Sequence, residues 1–331
     1  MTRPTDDLYI FAGSSNRPLA EAICRHLYVP LRPTRIERFS NDDLYIQLGA
    51  SVRSKDVFII QSLSVPVSDH LLELLMMVDI ARSGGASSVN AVIPYYSYGR
   101  SDKKDEPRVC ITARLVADLL KTAGADRAIT MTLHSAQVHG FFRIPIDHLT
   151  AMSVFVQHFA HCDCANTVLV SPDHGYAKRA QQLADALGLG LAVGDKRRIS
   201  DEKVSVASIL GRDLDKVEHA IILDDEIATG GSIEEVHTVL RRIGVREFTI
   251  ACTHGLFAGR ATERIAALSG VREIIATDTI YMDDAKRARM PANFKTLSVA
   301  EIFAQAIACN YHGRSIGPLF EFWPQQDGRG L

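Results

Sequence analysis

Short apolar runs that fit β-strands alternate with amphipathic segments of helical period along most of the chain. In the first half, this pattern predicts strands over residues 56–61, 89–94 and 127–133 and helices over residues 68–83 and 112–122. In the second half, it predicts strands over residues 167–170, 220–223 and 247–251 and helices over residues 176–187 and 232–243. Strands and helices that alternate in this way are typical of parallel sheets with helices on both faces, so the predicted fold class is α/β.

One part of this pattern occurs twice. Residues 120–134 align without gaps on residues 240–254, and each copy contains a helix end, a glycine, a strand and a final histidine. Any two helix–glycine–strand units share some of these features, so the repeat is compatible with chance as well as with duplication. We predict two related domains: residues 1–148, completed by a C-terminal segment of residues 309–331, and residues 149–308.

Composition and charge exclude several classes of protein. The 331 residues are 47% hydrophobic and 23% charged, with a formal net charge of −2, which suits two globular domains. The chain has no Lys- and Arg-rich run of the kind that follows a phosphate backbone, so nucleic acid is not an expected partner. It has no apolar run of membrane-spanning length and no signal-peptide core at its N-terminus. We therefore expect a cytoplasmic protein that does not bind membranes.

The six cysteines are too few for a disulfide-stabilised fold. His158, His161, Cys162 and Cys164 lie within seven residues, which raises the question of a metal site. Structural zinc sites usually take their ligands from two separated pairs, and no second pair stands out in the sequence. The cluster is therefore interpreted as a loop at a helix end with reduced thiols.

Three consecutive acidic residues and a Thr-Gly-Gly-Ser loop follow the strand predicted over residues 220–223. The acids are Asp224, Asp225 and Glu226, and the loop residues are Thr229, Gly230, Gly231 and Ser232. Such a loop can offer backbone N–H groups to a phosphate at the start of a helix, and its glycines allow close approach. Carboxylates at the end of a strand lie where ligands bind in open α/β sheets, and they can accept hydrogen bonds from sugar hydroxyls. The alternative is an ordinary strand–helix turn with Ser232 as the N-cap, which three adjacent acids make a poor explanation.

This segment resembles the phosphoribosyl-diphosphate-binding signature of type I phosphoribosyltransferases and their relatives. Seven further motifs are similar to those of ribose-phosphate pyrophosphokinases in order and spacing: residues 11–13, 38–40, 93–104, 133–142, 170–173, 195–198 and 253–257. The resemblance extends from about residue 9 to residue 320. It implies two tandem type I phosphoribosyltransferase-like domains, each with a mostly parallel sheet flanked by helices. It also implies a homo-oligomer, a hexamer built from dimers.

The resemblance implies a diphosphate-transferring enzyme that acts on ATP and ribose 5-phosphate with Mg²⁺ as cofactor. The products would be 5-phosphoribosyl 1-diphosphate and AMP. Lys196 and Arg198 match the family's mobile, catalytic cationic pair. The positions that match the family's ATP site are Phe39, Asn41, Asp43, Arg100, Ser101, Asp102 and His134, with Phe39 stacked on adenine from a neighbouring subunit.

The positions that match the family's ribose 5-phosphate site are Asp224, Asp225, Ala228, Thr229, Gly230, Gly231 and Ser232. His134 and Asp173 match its magnesium positions. Mg²⁺ prefers oxygen ligands, so the histidine is an unusual direct ligand and is also expected to contact ATP phosphates.

Several residues depart from the family's usual pattern. Ser101 replaces a glutamine, Thr132 an acid, Ala228 an aspartate and Tyr176 a glycine, while residues 41–43 replace an Asp-Gly-Glu segment. Most of these changes affect recognition of ATP and metal rather than ribose. They leave open a different nucleotide donor or sugar phosphate, and also a weakly active or non-catalytic regulatory paralogue of a pyrophosphokinase.

Other enzyme classes fit less well. A phosphoribosyltransferase needs neither a second, ATP-type domain nor the Lys196 and Arg198 pair. A nicotinamide dehydrogenase would carry a Gly-x-Gly-x-x-Gly turn after a strand, and the sequence has none. A P-loop kinase would carry a Gly-Lys-Ser/Thr loop, which is also missing.

Overall fold

The computed structural model describes residues 5–161, 166–200, 203–211 and 214–320, with the backbone alone described over residues 196–200 and 203–207 and at Asp215. Its strands are β1 (Leu8–Ala12), β2 (Leu31–Arg32), β3 (Thr34–Arg38), β4 (Leu44–Leu48), β5 (Asp56–Ile60), β6 (Ser88–Ile93), β7 (Arg127–Met131), β8 (Ile146–Leu149), β9 (Thr167–Ser171), β10 (Gly190–Ser200), β11 (Lys203–Leu210), β12 (His219–Ile227), β13 (Glu247–Gly255), β14 (Val271–Thr277) and β15 (Phe294–Leu297). Its helices are α1 (Arg17–Leu27), α2 (Val67–Ser83), α3 (Thr112–Ala123), α4 (Met152–Phe159), α5 (His174–Leu187), α6 (Gly231–Arg242), α7 (Ala261–Ala266), α8 (Asp284–Arg287) and α9 (Ala300–Tyr311), with short 3₁₀ turns between some of them.

The chain divides into two units by the density of their internal contacts. Among the described residues, the first unit takes the chain up to Thr150 together with Asp278–Tyr281 and Ser298–Phe320. The second unit takes the described residues of Ala151–Thr277 together with Met282–Leu297.

In the first unit, the main sheet has the order β2-β1-β5-β6-β7-β8, and all neighbouring strands run parallel. The antiparallel pair β3 and β4 forms a separate hairpin. In the second unit, the sheet has the order β11-β10-β9-β12-β13-β14-β15, and only the β10–β11 pair is antiparallel. Two mostly parallel sheets flanked by helices confirm the predicted fold class.

All six predicted strands and all four predicted helices are present, with ends that differ by a few residues. The central strands are buried along nearly their whole length; β5, for example, is buried from Val57 to Ile60. Strands covered by helices on both faces need apolar side chains on both faces, which explains why the sequence shows continuous apolar runs there. No helix in the described ranges has both the length and the apolar character of a membrane span.

The two copies of the repeat have the same local structure. Gly124 follows α3 with φ +106°, and Gly244 lies just beyond α6 with φ +107°, a region that favours glycine. The strand that follows is β7 in the first copy and β13 in the second. Each pairs in parallel with the strand before it and the strand after it in the chain, β6 and β8 for β7, and β12 and β14 for β13. His254 lies within β13, whereas His134 lies three residues beyond the end of β7.

The contact-based division differs in detail from the domain boundaries predicted at residues 148/149 and 308/309. The first unit extends to Thr150, and the chain returns to it at Ser298 rather than at residue 309. The earlier return follows from α9, which packs against α1 and begins at Ala300. Residues 321–331 of the predicted C-terminal segment lie outside the described residues.

Candidate active site

The acidic residues of the second unit lie within a strand rather than after it. The strand predicted to end at residue 223 continues to Ile227, because its backbone stays paired with β13 up to Ile227 and Gly255. Asp225 and Glu226 are buried, and Asp224 is partly buried. The Asp225 N–H donates a hydrogen bond to Asp224 Oδ1 at 2.9 Å.

Asp224 is the most strongly perturbed of these carboxyl groups. Burial raises its pKa well above the ordinary value, and the negative charges of Asp225 and Asp173 raise it further. Asp173 follows β9, which pairs directly with β12, so both carboxylates lie at the carboxyl edge of the same sheet. A ligand that supplies hydroxyl donors or positive charge at this edge would therefore relieve an existing electrostatic cost.

Asp173 also begins a helix. Its Oδ1 accepts a hydrogen bond from the Gly175 N–H at 3.0 Å, which caps the N-terminus of α5. Tyr176, the residue that replaces the family's glycine, is buried in the first turn of α5. Burial raises the pKa of the Tyr176 phenol, as do the nearby charges of Asp225 and Asp224. The phenol of Tyr176 therefore lies near enough to the acid pair for their charges to act on it.

The predicted phosphate loop connects β12 to α6. Gly230 occupies the N-cap of α6 with φ +74°, and Gly231 is the first helical residue, so Ser232 is not the N-cap. The first main-chain bond of α6 runs from Glu234 N–H to Gly230 O at 3.1 Å. The N–H groups of residues 231–233 therefore face out of the helix start, where an anion is stabilised. Ala228 to Gly230 form a short loop at the carboxyl edge of the sheet, and Gly231 and Ser232, which the sequence assigned to the loop, begin α6.

Lys196 and Arg198 lie in a strand rather than in a turn. Their backbones pair with Val206 and Val204 in the antiparallel β10–β11 hairpin. β10 pairs with the rest of the sheet only up to Val193, so this part of the hairpin extends past the neighbouring strand β9. Their side chains lie outside the described set, and their catalytic role stays a prediction.

In the first unit, His134 lies beside the start of the predicted ATP loop. A Cβ atom at Gly99 would be 3.4 Å from the Cβ of His134, so the loop enters directly against this histidine. His134 and Arg100 are exposed, and Asp102 is partly buried. The structure therefore brings three of the predicted ATP-site residues into one region of this unit.

Ser101 has structural contacts at the base of this loop. Its hydroxyl donates to Cys110 O at 3.0 Å and accepts from the Thr112 N–H at 3.3 Å. Its carbonyl accepts from the Ala113 N–H at 3.3 Å. Ser101 thus connects the loop to the first turn of α3. The longer side chain of the glutamine in the family pattern could not make these hydrogen bonds with the same geometry.

The predicted adenine-binding residues lie at the tip of the β3–β4 hairpin. Phe39 is 52% exposed, and its ring centroid lies 5.6 Å from that of Tyr45. The amide of Asn41 donates to Asp43 Oδ2 at 2.6 Å, so these two side chains contact each other. Arg38 braces the turn through ion pairs with Asp42 and with Asp69 on α2, both at 2.8 Å.

The predicted metal residues belong to different units, His134 to the first and Asp173 to the second. Among the described residues, no group of three or more His, Cys, Asp and Glu side chains is arranged to hold a metal. In the His/Cys cluster, His158 Nε2 hydrogen-bonds Glu273 at 2.9 Å, while Cys162 and Cys164 lie outside the described residues.

One residue at the phosphate loop was missed by sequence reasoning. Arg264 in α7 donates from Nη1 to Thr229 O at 2.7 Å. An isolated arginine in a short helix, 35 residues from its partner in sequence, carries no motif that would have indicated this contact.

Two family models match the chain. The N-terminal domain of ribose phosphate pyrophosphokinase matches residues 8–124, and the phosphoribosyl synthetase-associated domain matches residues 208–321.

Similar proteins span nearly the whole chain. The ribose-phosphate pyrophosphokinase of Deinococcus radiodurans is 50% identical over 315 residues, covering 95% of this chain and 98% of that protein. A putative ribose-phosphate pyrophosphokinase of Streptomyces coelicolor is 45% identical over 325 residues, covering 96% and 99%. The crystal structure of phosphoribosylpyrophosphate synthetase from Mycobacterium smegmatis superposes with a TM-score of 0.82 at 35% identity, covering 93% of this chain and all of that one. The chain therefore belongs to the ribose-phosphate pyrophosphokinase family.

Proposed function

We propose that this chain transfers the diphosphate of MgATP to the 1-hydroxyl of ribose 5-phosphate and releases 5-phosphoribosyl 1-diphosphate and AMP. The observation that carries the proposal is the continuous run from the acid pair of β12 through the glycine loop into α6. This run offers carboxylate acceptors and N–H donors to a single sugar phosphate. The names of the similar proteins, ribose-phosphate pyrophosphokinase and phosphoribosylpyrophosphate synthetase, support the same reaction.

The second unit would bind the sugar phosphate. Asp224 and Asp225 accept hydrogen bonds from adjacent ribose hydroxyls, and the loop from Ala228 to Ser232 holds the 5-phosphate. The burial and mutual repulsion of the two acids make hydroxyl donors favourable there. The glycine loop and the start of α6 favour the negative charge of the phosphate.

The first unit would bind ATP. Arg100 and Asp102 begin the loop beside His134, and these three residues contact the phosphates and the nucleotide. Phe39, Asn41 and Asp43 serve the adenine of a neighbouring subunit, which suits their exposed place at the tip of a hairpin. Ser101 positions the loop through its hydrogen bonds to Cys110, Thr112 and Ala113.

Magnesium fits the chemistry of the second unit. Asp224 in β12 and Asp173, which follows the neighbouring strand β9, carry charges that act on each other, and Mg²⁺ prefers oxygen ligands. Asp173 would be the magnesium ligand of the second unit, and His134 that of the first unit. Mg²⁺ bound there would supply positive charge that offsets the negative charge of the transferred diphosphate.

Lys196 and Arg198 would stabilise the transition state. Diphosphate transfer needs little covalent participation from the protein, so correct placement and neutralisation of developing negative charge account for most of the rate. Two cations two residues apart on a β-hairpin are suited to this role.

The first experiment follows the reaction by phosphorus NMR with purified protein, MgATP and ribose 5-phosphate. We expect AMP and 5-phosphoribosyl 1-diphosphate to appear in equal amounts. Lys196→Ala is expected to slow both by roughly a hundredfold or more, the usual effect of removing one transition-state contact. Lys121→Ala, which removes an exposed lysine from α3, is the matched control and should keep full activity.

A wild-type protein that binds ribose 5-phosphate but forms neither product, with ATP or other nucleotides and with Mg²⁺ or Mn²⁺, would contradict the proposed reaction. It would favour the regulatory-paralogue alternative instead.

We further propose a homo-oligomer, a hexamer built from dimers, with one ATP-type and one ribose-type domain in each chain. The described cysteines Cys24, Cys110, Cys252 and Cys309 form no disulfide, which suits a reducing compartment such as the cytoplasm.

A further inference from the structure

We infer that Arg264 orients the backbone of the phosphate loop and thereby sets the affinity for the 5-phosphate group. This inference rests on the proposed function of the loop, and it adds a positioning residue that lies outside the loop. It follows from the partners of three consecutive carbonyl groups.

The carbonyls of residues 227, 228 and 229 all bond to one neighbouring segment. Ile227 O accepts from the Phe257 N–H at 3.0 Å, and Ala228 O accepts from the Ala258 N–H at 2.8 Å. Thr229 O accepts from Arg264 Nη1 at 2.7 Å. The segment after β13, up to and including α7, therefore binds the outer side of the loop.

In a trans peptide unit, the C=O and N–H groups point in opposite directions. A carbonyl held on the outer side therefore leaves the N–H of the next residue on the inner side. The three bonds fix the N–H groups of Ala228, Thr229 and Gly230 in this orientation. Successive N–H groups that face one concave side form an anion site, which the first turn of α6 extends.

The third of these bonds differs from the first two. Main-chain N–H groups hold the carbonyls of Ile227 and Ala228, whereas a side chain holds that of Thr229. The orientation of the Thr229–Gly230 peptide therefore depends on the identity of residue 264. Gly230 adopts φ +74°. Because glycine has no side chain, it restricts the orientation of the Thr229–Gly230 peptide less than a larger residue would.

The guanidinium group of Arg264 is itself fixed in place. Its Nε lies 2.9 Å from Glu234 Oε2 in the first turn of α6, so the group bridges the loop and the helix that follows it. A Cβ atom at Gly231 would be 3.6 Å from Arg264 Nη1, which places the positive charge close to the start of α6. Arginine suits this site because its planar fork can bond two acceptors at once, whereas lysine offers a single ammonium group.

α7 also supports the loop by packing. A Cβ atom at Gly230 would be 3.4 Å from Ile265 Cγ1, so the residue next to Arg264 packs against the loop. Ile265 is buried, while the side chain of Arg264 is 35% exposed. Changes at Arg264 are thus expected to alter the loop without creating a cavity in the core.

The test compares Arg264→Ala with Arg260→Ala. Arg260 lies four residues earlier, is 90% exposed and pairs only with Glu263 among its described ion pairs, so it controls for the loss of one positive charge. We expect Arg264→Ala to lower the affinity for ribose 5-phosphate roughly tenfold, the effect of losing one hydrogen bond from a charged donor. Arg260→Ala should change this affinity less than about twofold, as is usual for exposed ion pairs. The affinity of Arg264→Lys should lie between those of the two alanine variants.

The readouts separate positioning from general damage. Calorimetric titration with ribose 5-phosphate measures binding without turnover, so it remains informative if the protein fails to form product. In the enzymatic assay, KM for ribose 5-phosphate should rise while KM for ATP and kcat stay within about threefold.

Equal affinities in Arg264→Ala and Arg260→Ala would overturn the inference, because they would assign any effect to charge alone. A parallel rise in KM for both substrates would also overturn it, because the effect would then not be specific to the 5-phosphate group. Loss of folded protein would instead lower the apparent kcat and leave KM unchanged.

Discussion

At the scale of single residues, the raised pKa of Asp224 makes the stability of the ligand-free protein depend on pH. Its pKa is raised by burial and by the charges of Asp225 and Asp173. An unfolded chain would release this proton near the ordinary carboxyl pKa, whereas the folded protein keeps it to higher pH. Folding is therefore favoured below the ordinary pKa, and this contribution is lost as pH rises through the raised value.

Asp224→Asn is accordingly expected to stabilise the ligand-free protein at pH 8. The melting temperature should rise by roughly 2–4 °C, the shift that about 1 kcal/mol produces in a domain of this size. The difference from wild type should narrow as pH falls through the raised pKa of Asp224, because the wild-type carboxyl then gains its proton. Calorimetric scans at several pH values measure this.

Asp185→Asn, which alters an exposed carboxylate of the same unit, should leave the melting temperature nearly unchanged. A wild-type protein that melts above Asp224→Asn at pH 8 would contradict the electrostatic explanation.

The sequence indicated candidate site residues but not their partners in the fold. The order of acids and glycines from Asp224 to Ser232 is local, and in the structure it forms the end of β12, a short loop and the start of α6. The contact of Arg264 with Thr229 and the contact of Ser101 with α3 depend on folding that brings distant segments together. A single sequence holds no periodic signal for such contacts.

At the scale of elements, the repeat extends to backbone conformation, yet its two glycines have different surroundings. A Cβ atom at Gly124 would lie 2.8 Å from Arg82 Cγ, whereas one at Gly244 would have no neighbour within 4 Å. Arg82 also donates to Gly124 O at 2.9 Å from Nε and at 2.8 Å from Nη2. The same turn is thus packed in one copy and open in the other.

Gly124→Ala is expected to destabilise the protein more than Gly244→Ala. Positive φ alone costs an alanine about 1–2 kcal/mol at either position. At Gly124, displacement of Arg82 should add roughly 1–3 kcal/mol. Calorimetric unfolding of the two variants under the same conditions measures the difference, and equal losses would show that Arg82 adapts without cost.

The ends of elements were harder to predict than their presence. β12 continues through three acidic residues because backbone pairing with β13 outweighs their low preference for strands. The hairpins β3–β4 and β10–β11 were not predicted, since their mixed polar and apolar residues lack the continuous apolar run of a central strand.

At the scale of the whole molecule, the placement of Phe39 bears on assembly. It lies on an exposed hairpin tip of the first unit, and we propose that it completes an ATP site on another subunit. A shared site of this kind makes activity a property of the oligomer rather than of one chain.

Mixing Phe39→Ala with Lys196→Ala subunits tests this directly. If each site combines Phe39 of one chain with Lys196 of another, a mixed dimer contains one intact site. Equal mixtures, refolded together, should then recover about a quarter of wild-type activity at limiting ATP, since half the dimers are mixed and half their sites intact. Activity no greater than the sum of the separate variants would place both residues in one chain's site.

The return of the chain to its first unit also affects how the protein is made. The strands of this unit are synthesised early, but α1 lacks its packing partner until α9, Ala300–Tyr311, leaves the ribosome. By then, every described strand and helix of the second unit has already emerged. Domains fold as units during synthesis, so the domain encoded later can be completed first. A released chain truncated before residue 298 would thus contain every described strand and helix of the second unit, while α1 would expose the apolar side that α9 covers, the kind of surface that chaperones bind.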